Sequence, residues 1–498
     1  MELDVHTFYE EPIRYDDTMN ASDTDNVESA DLWDAPQAIK PLHATVMVPG
    51  SKSLSNRYLI LAALGNKPVI LHGLLRSRDT SLMMKGLEAL GVSIEFPDPS
   101  DETIVKIAPP ADGHFRGNTS VFCGLAGTVM RFLPGLAVFA DGPVHFDGDK
   151  QAYARPMKPV LDGLEQLGAS IEYEGEEGCL PFTVTPPSLA IQDKQMAEVA
   201  YAEVSIDSSS SSQFISGLLL MASRLPHGLR LTHIGEHVPS MPHIQMTISD
   251  VNGAGGSIHM DATKTWVVEP KPLQLPKTIT IEPDLSNAAP FLGAAMIAGG
   301  SVSIPRWPVR TTQPGGLLPG ILQSMGARVD LDGKPLHDDG SFAADVVSPE
   351  PSGTEVHNGI LTVTGTGTIH GLGNYDMAAA GEIAPSIAAL AVLAQEPTSL
   401  RGIGHLRGHE TNRLEALVNE IHRLGGKATE LEDGIAIEPV DWVDLHGEVM
   451  ESYADHRMAT FAAMLGLVIP GTRVVNIGTT RKTIPDFPGM WRSMLDQQ

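Results

Sequence analysis

The chain has 498 residues, 42% of them hydrophobic, which is too long for one ordinary domain and ample for a large core. Its formal net charge of −27 at pH 7 excludes broad binding to a nucleic-acid backbone, though a cleft can hold a local field opposed to the global one and so take a small anion. The two cysteines, Cys123 and Cys179, are too few for a disulfide framework or a cysteine zinc site, no apolar run nears the ~20 residues of a membrane span, and no basic start with an apolar stretch marks a secretory signal. A reducing, cytoplasmic setting without membrane contact is the expectation.

Met1 to Asp34 is rich in Asp and Glu, with Arg14 its one Lys or Arg. It reads as a disordered acidic tail, extended to residue 38 in the expected domain division. The competing reading places the true start downstream, for example at Met19. From Leu42 onward, segments read as strand, Gly turn and helix. In Val46 to Arg57, Gly50-Ser51-Lys52-Ser53 precedes a helix, so Lys52 sits where free N–H groups and the helix dipole favour an anion. No Gly lies where a Walker A loop needs one. Cys123 to Phe132 is a second Gly turn into an apolar helix, with Gly127 allowing close backbone approach and Arg131 following. Arg155-Pro156 comes next. Asp207 to Gln213 holds five serines in a row and runs straight into Phe214 to Met221, which suits a helix cap or phosphate site better than a flexible linker.

Further on, Gly408-His409-Glu410-Thr411-Asn412-Arg413 joins a proton carrier to a fixed cation. Asp455-His456-Arg457 starts an Ala-rich helix, where the Arg needs either Asp455 or a ligand as partner. Arg481-Lys482-Thr483 lies near the C-terminus and, read locally, is a surface tip. No His-Glu-x-x-His element is present, and no metal site is expected.

A helix–Gly–strand unit recurs at Met83–Gly91, Leu161–Gly168, Ile321–Gly326 and Ala416–Gly425, and more weakly at Met246–Gly256. The Gly supplies a left-handed C-cap and the following residues alternate with period two. A spacing of roughly 70–100 residues exceeds that of solenoids and suits a small α/β subdomain used about six times. Turn-rich tracts at Pro186-Pro187-Ser188 and Gly333 to Ser352 fall between units as loops.

The ordered set Pro49-Gly50-Ser51-Lys52-Ser53…Asn56-Arg57, Ala126-Gly127-Thr128…Arg131, Ser211-Ser212-Gln213-Phe214, Glu410-Thr411-Asn412-Arg413-Leu414, Asp455-His456-Arg457-Met458 and Lys482-Thr483-Ile484-Pro485-Asp486 resembles the 5-enolpyruvylshikimate-3-phosphate (EPSP) synthases, a family of enolpyruvyl transferases. The resemblance implies two similar α/β domains, each of three βαβαββ-like units around a pseudo-threefold, with chain crossings near Gly50 and Pro283-Asp284. The division implied is 39–49 plus 284–498 for the first domain and 50–283 for the second. It implies transfer of an enolpyruvyl group from phosphoenolpyruvate to the 5-hydroxyl of shikimate 3-phosphate, by a monomer, with no metal or organic cofactor. By position it assigns Glu382, Lys52 and Glu410 to proton transfer. Lys52, Gly127, Arg155, Gln213, Arg413, Arg457 and Lys482 would hold phosphoenolpyruvate. Lys52, Ser53, Arg57, Ser211, Ser212, Gln213, Ser240, Glu382 and His409 would hold shikimate 3-phosphate.

The chain departs from the family pattern at Glu382, where many relatives carry Asp, and at four further places. His409 stands where many members carry Lys, His405 where they carry Asn, and Leu125 and Phe132 replace Asn and Pro around Gly127. With Gly127 intact, sensitivity to glyphosate is implied. The sister transferases that act on a UDP-sugar usually carry a reactive Cys before the Arg-Pro element, and Asp149 to Ala154 holds none. A non-catalytic anion-binding protein on the same fold would have no need of Glu382 and Glu410.

Overall fold

A computed structural model describes residues 31–187, 201–238, 240–337, 358–408 and 410–497. Most of the expected tail, Ser188 and the end of the Gly333–Ser352 tract lie outside them. The helix–Gly–strand junctions form as their sequence dictates. Gly91, Gly168, Gly326 and Gly425 take φ of 91°, 93°, 100° and 87°, a left-handed conformation that a Cβ would oppose. In the fifth unit this role falls to Gly255 (φ 87°) rather than Gly256, because the helix ends at Gly253.

One body carries helices α1 (Lys52–Leu64), α2 (Arg78–Ala89), α3 (Gly127–Ala137), α4 (Lys158–Gln166), α5 (Ser212–Ala222) and α6 (Met241–Gly253). The other carries α7 (Leu285–Ala298), α8 (Leu318–Ser324), α9 (Ala384–Val392), α10 (Arg413–Arg423), α11 (His456–Gly466) and α12 (Phe487–Asp496). Three four-stranded sheets accompany the first set, and all share one pattern. A parallel pair, such as Thr119–Phe122 with Val144–Asp147, is followed by two antiparallel neighbours, Phe182–Thr185 and Ser170–Tyr173. The parallel pair requires a helical crossover, and the antiparallel pair closes as a hairpin. The sheets around Ala202–Ile206 and Val69–His72 repeat it. So do the sheets around Gly300–Pro308 and Thr398–Arg401 in the second body.

The sixth sheet corrects the expected tail. Val449–Met450 pairs in parallel with Arg473–Val475, and the antiparallel third place is taken by Leu32–Asp34. In the other sheets that place is filled from a neighbouring hairpin. Here it comes from the opposite end of the chain, with Ala35 N donating to Thr472 O (3.1 Å) and Asn476 N to Asp31 O (2.7 Å). The segment is too short and too acidic to read as a strand alone, and pairing with Arg473–Val475 supplies what its own sequence lacks. Trp33 meets Phe487 edge-on at 6.2 Å between centroids.

Each body has its own core. One cluster joins Phe132, Phe146, Phe214 and Trp266; the other joins Val46 and Val48 to Phe291, Trp307, Phe461 and Trp491. The chain passes between them twice, side by side. Gly50 pairs with Pro283 in an antiparallel bridge, Ser51 N donates to Glu282 O and Asp284 N to Pro49 O, both at 2.8 Å. A Cβ at Gly50 would stand 1.9 Å from the Gly73 carbonyl oxygen, so only glycine fits the first crossing.

If Leu32–Asp34 completes the sixth sheet, Trp33→Ala should destabilise the protein by about 2–3 kcal/mol in urea unfolding, from lost burial and the lost aromatic pair. A change below ~0.5 kcal/mol would return the segment to the tail.

Candidate active site

The anion-directed motifs around Lys52, Gly127 and Ser211 in the first body sit at helix starts. Ser51 caps α1 and accepts from Leu54 N, which places Lys52 in the first turn with its Nζ 3.8 Å from Asp79 Oδ2. Arg57, one and a half turns on, is buried. It donates from Nε to Thr247 Oγ1 (2.8 Å), from Nη1 to Ser53 O (3.0 Å) and from Nη2 to His243 O (3.0 Å), and its guanidinium lies over the Phe132 ring. The Phe that departs from the family pattern is therefore the face on which Arg57 rests.

Gly127 begins α3. A Cβ there would stand 3.0 Å from both Arg155 Nη2 and Gln213 Oε1 and 3.2 Å from Arg131 Nη1, so three polar side chains converge on the missing methyl. Arg131 Nη1 donates to Gln213 Oε1 (2.7 Å), and Arg155 Nη1 donates to the Leu125 carbonyl (2.8 Å). Leu125 thus contributes a backbone oxygen, which any side chain would leave in place. Ser211 caps α5 by accepting from Gln213 N, so the serine run is a helix start and not a linker. Ser240 precedes α6 in the left-handed region (φ 48°, ψ 58°), and its Oγ lies 2.5 Å from His243 Nδ1.

The second body supplies the carboxylates. Glu382 lies in the turn Gly381–Ile383 before α9, where Ser286 donates to its Oε1. Its Oε2 faces Arg457 Nη2 (3.5 Å) and, from the first body, His243 Nε2 (3.7 Å). Glu410 bridges Arg413 Nη2 (2.9 Å) and Lys482 Nζ. The partner of Arg457 is therefore Glu382. Asp455 instead accepts from the Arg457 backbone N (2.8 Å) as the cap of α11, and its carboxylate takes Arg413 Nε at 2.6 Å. Arg413 and Asp455 are both buried, so each is the condition for burying the other. Lys482 turns inward, against its local reading as a surface tip.

Charges here are set by burial first and by neighbours second. Burial pulls Lys52 below the usual lysine range, and Lys482 and Arg457 add to this while Asp79 and Glu410 oppose it. Burial pushes Glu382 up, but Arg457, His243, Ser286 and Lys52 together hold it below the usual carboxylate value. Burial likewise raises Glu410, and Lys482, Arg413, His456 and Lys52 more than reverse this, leaving it well below that value. Asp284, which caps α7 and accepts from Lys52 N (3.2 Å), is raised by burial and by Glu382. His456 is pushed well down, chiefly by burial. The site thus interleaves buried carboxylates and cations, with Glu382 and Glu410 held on the ionised side by the cations around them.

Contacts and convergence join Lys52, Gly127, Arg155, Gln213, Ser240, Glu382, Glu410, Arg413, Arg457 and Lys482 into two clusters facing each other across the junction. Arg57 is more committed to protein acceptors than its expected role alone requires. His409 lies outside the described residues. Sequence reasoning passed over Asp79, His243 and Ser286, and named Asp284 only as a chain crossing. Asp79 lies in the capping box opened by Ser77, and His243 follows Ser240 at the i, i+3 spacing of a helix start, so both had a local signal. Ser286 had none, since its partner is 96 residues away.

The chain from residue 36 to 491 matches the family model described as EPSP synthase (3-phosphoshikimate 1-carboxyvinyltransferase). It is 63% identical over 467 residues to a protein of Bifidobacterium longum named 3-phosphoshikimate 1-carboxyvinyltransferase, covering 94% of this chain and 98% of the relative. A protein of the same name from Kocuria rhizophila is 44% identical over 478 residues, covering 94% and 97%. The fold is similar to a solved EPSP synthase from Acinetobacter baumannii, with a TM-score of 0.72 at 23% identity, covering 93% of this chain and 97% of that one.

Asp455→Asn keeps the shape and the cap acceptor but removes the charge that faces Arg413. It should lower unfolding stability by about 3 kcal/mol, the scale for breaking a buried ion pair from one side. Urea unfolding with an unchanged m-value would check it, and a neutral outcome would mean that Glu410 alone suffices for Arg413.

Proposed function

The chain belongs to the EPSP synthase family, and on that premise we propose how its facing clusters transfer the enolpyruvyl group of phosphoenolpyruvate to the 5-hydroxyl of shikimate 3-phosphate. The observation that carries the assignment of roles is the place of Glu382, a carboxylate where the two bodies meet, with Arg457 Nη2 3.5 Å and, from the opposite body, His243 Nε2 3.7 Å from its Oε2. Phosphoenolpyruvate, with a phosphate and a carboxylate, calls for several fixed cations and dipoles. Lys52, Arg155, Gln213, Arg413, Arg457 and Lys482, with the backbone at Gly127, supply them. Ser211, Ser212 and Ser240 take the 3-phosphate of the acceptor, and Ser53 and Arg57 its carboxylate.

Glu382 accepts the proton of the 5-hydroxyl as its oxygen bonds to C2 of phosphoenolpyruvate. C3 gains a proton in the same addition. Glu410, held well below the usual carboxylate range, carries no proton to give at neutral pH, whereas Lys52, depressed by burial, is a competent acid. In the elimination Lys52 takes a proton back from C3, the C2–O bond to phosphate breaks, and the hydroxyl proton leaves with the phosphate. Electrostatic stabilisation of the tetrahedral intermediate falls to the surrounding cations. Residues 31–49 with 284–498, and residues 50–283, move as two domains about Gly50 and Asp284, closing over the reactants to exclude water.

Phosphate release in metal-free buffer should require both substrates, and a UDP-sugar should not replace the acceptor. Glu382→Gln should lower kcat by about a thousandfold while ligand binding persists, the scale of lost general-base catalysis. Unchanged turnover would remove Glu382 from this role. Glyphosate should inhibit, and Gly127→Ala should weaken it about tenfold to a hundredfold, since a methyl 3.0 Å from Arg155 and Gln213 crowds the site by ~1–3 kcal/mol. Unaltered potency would place glyphosate elsewhere.

A further inference from the structure

His243 has no part in the roles set out above, yet it stands between two of them. It lies in the first turn of α6, with Nδ1 2.5 Å from Ser240 Oγ and Nε2 3.7 Å from Glu382 Oε2. Its own carbonyl receives Arg57 Nη2 at 3.0 Å, which anchors this turn to α1. We propose that His243 is a positioning residue for Glu382: Ser240 sets the imidazole through Nδ1, and the Nε2–H group orients the carboxylate that receives the hydroxyl proton. This rests on the role proposed for Glu382.

The argument is one of hydrogen counting. The charged and titratable groups that face the ring are Glu382 before α9, Arg57 on α1, Arg457 on α11 and His405 before α10. Burial first, then Arg57, Arg457 and His405, keep it neutral against the pull of Glu382. A neutral imidazole carries one N–H. An ionised carboxylate only accepts, whereas a serine hydroxyl can donate. The proton on Nε2, with Ser240 O–H donating to Nδ1, is the one tautomer that satisfies both neighbours. The other turns a ring lone pair onto a carboxylate oxygen.

Within its own body Glu382 is held by Ser286 at Oε1 and faced by Arg457 Nη2 at 3.5 Å from Oε2. His243 adds a contact on Oε2 from the opposite body, at 3.7 Å. Distances of this kind characteristically tighten when substrates close a site. The final orientation of the base is thus set once the bodies are together, through a residue linked to the serine that takes the acceptor's phosphate.

Nitrogen-15 spectra of the imidazole rings in the full chain, assigned with H243Q, test the tautomer without turnover. The Nε2–H form at neutral pH, with that preference lost in Ser240→Ala, is expected; an Nδ1–H ring or an imidazolium overturns the proposal. Kinetics test the consequence. H243N reaches Ser240 but not Glu382, and should lose about a hundredfold in kcat, the cost of a misplaced catalytic group, with less than about a threefold change in KM for shikimate 3-phosphate. Its acid limb should move to higher pH, because a donor that keeps Glu382 ionised has gone. H243Q, whose amide nitrogen reaches the Nε2 position, should recover most of kcat and the original limb. A wild-type profile in H243N, or a change confined to KM, overturns the proposal. Absence of phosphate release from the unsubstituted protein would overturn the transferase reading instead, with the tautomer still deciding the link between Ser240, His243 and Glu382.

Discussion

Everything at the centre of this protein depends on burying like charges without letting them repel. Lys52, Arg457, Lys482 and Arg413 approach one another because Glu382, Glu410, Asp455 and Asp79 stand between them. Neither set could leave water alone, since an unpaired buried charge costs several kcal/mol. The carboxylates are shared unequally. Asp455 is wholly buried and committed to Arg413 and the cap of α11, so it is structural. Glu382 and Glu410 face the junction, with about a fifth of each side chain exposed. Ion pairs of the first kind build the site, and those of the second are available for exchange with an anionic ligand.

The fold serves this by bringing helix starts to one place. Lys52, Gly127, Ser212, Arg413 and Arg457 all fall in first turns, where unpaired backbone N–H groups add to the side-chain cations. Each helix belongs to a repeated unit, so the same geometric solution is used several times in one molecule. The two crossings, hydrogen-bonded to each other at Gly50 and Pro283, tie the bodies at one edge and leave the opposing surfaces to meet. Asp284 belongs to both arrangements: it caps α7 and takes the first N–H of α1. The chain that joins the bodies is therefore also the floor of the site.

Much of this was legible in the residues. The glycines after each helix announced the repeat because only a left-handed cap lets a strand follow so closely. The motifs around Lys52, Gly127, Ser211 and Arg457 were visible because helix caps are local, set within three or four positions. Where reading failed, the reason was distance in sequence. Leu32–Asp34 is unreadable as a strand because its partner lies some 440 residues away, and the acidic stretch before it suggested a tail. For Arg457 the sequence offered Asp455, its neighbour but one, or a ligand, and could not point to Glu382, because Glu382 and Asp455 divide the cations by spatial proximity. His243 carried a local signal toward Ser240 and none toward Glu382.

The amino-acid sequence by itself determined the repeating α/β unit, the helix starts that bear cations and the family to which the chain belongs, because all three are written in short-range spacing. Only the tertiary structure decided which carboxylate neutralises which cation, which strand completes the sixth sheet and which imidazole faces the base. Those are contacts between segments far apart in the chain. Their energies depend on burial and on distances of a few ångströms, which local sequence does not encode.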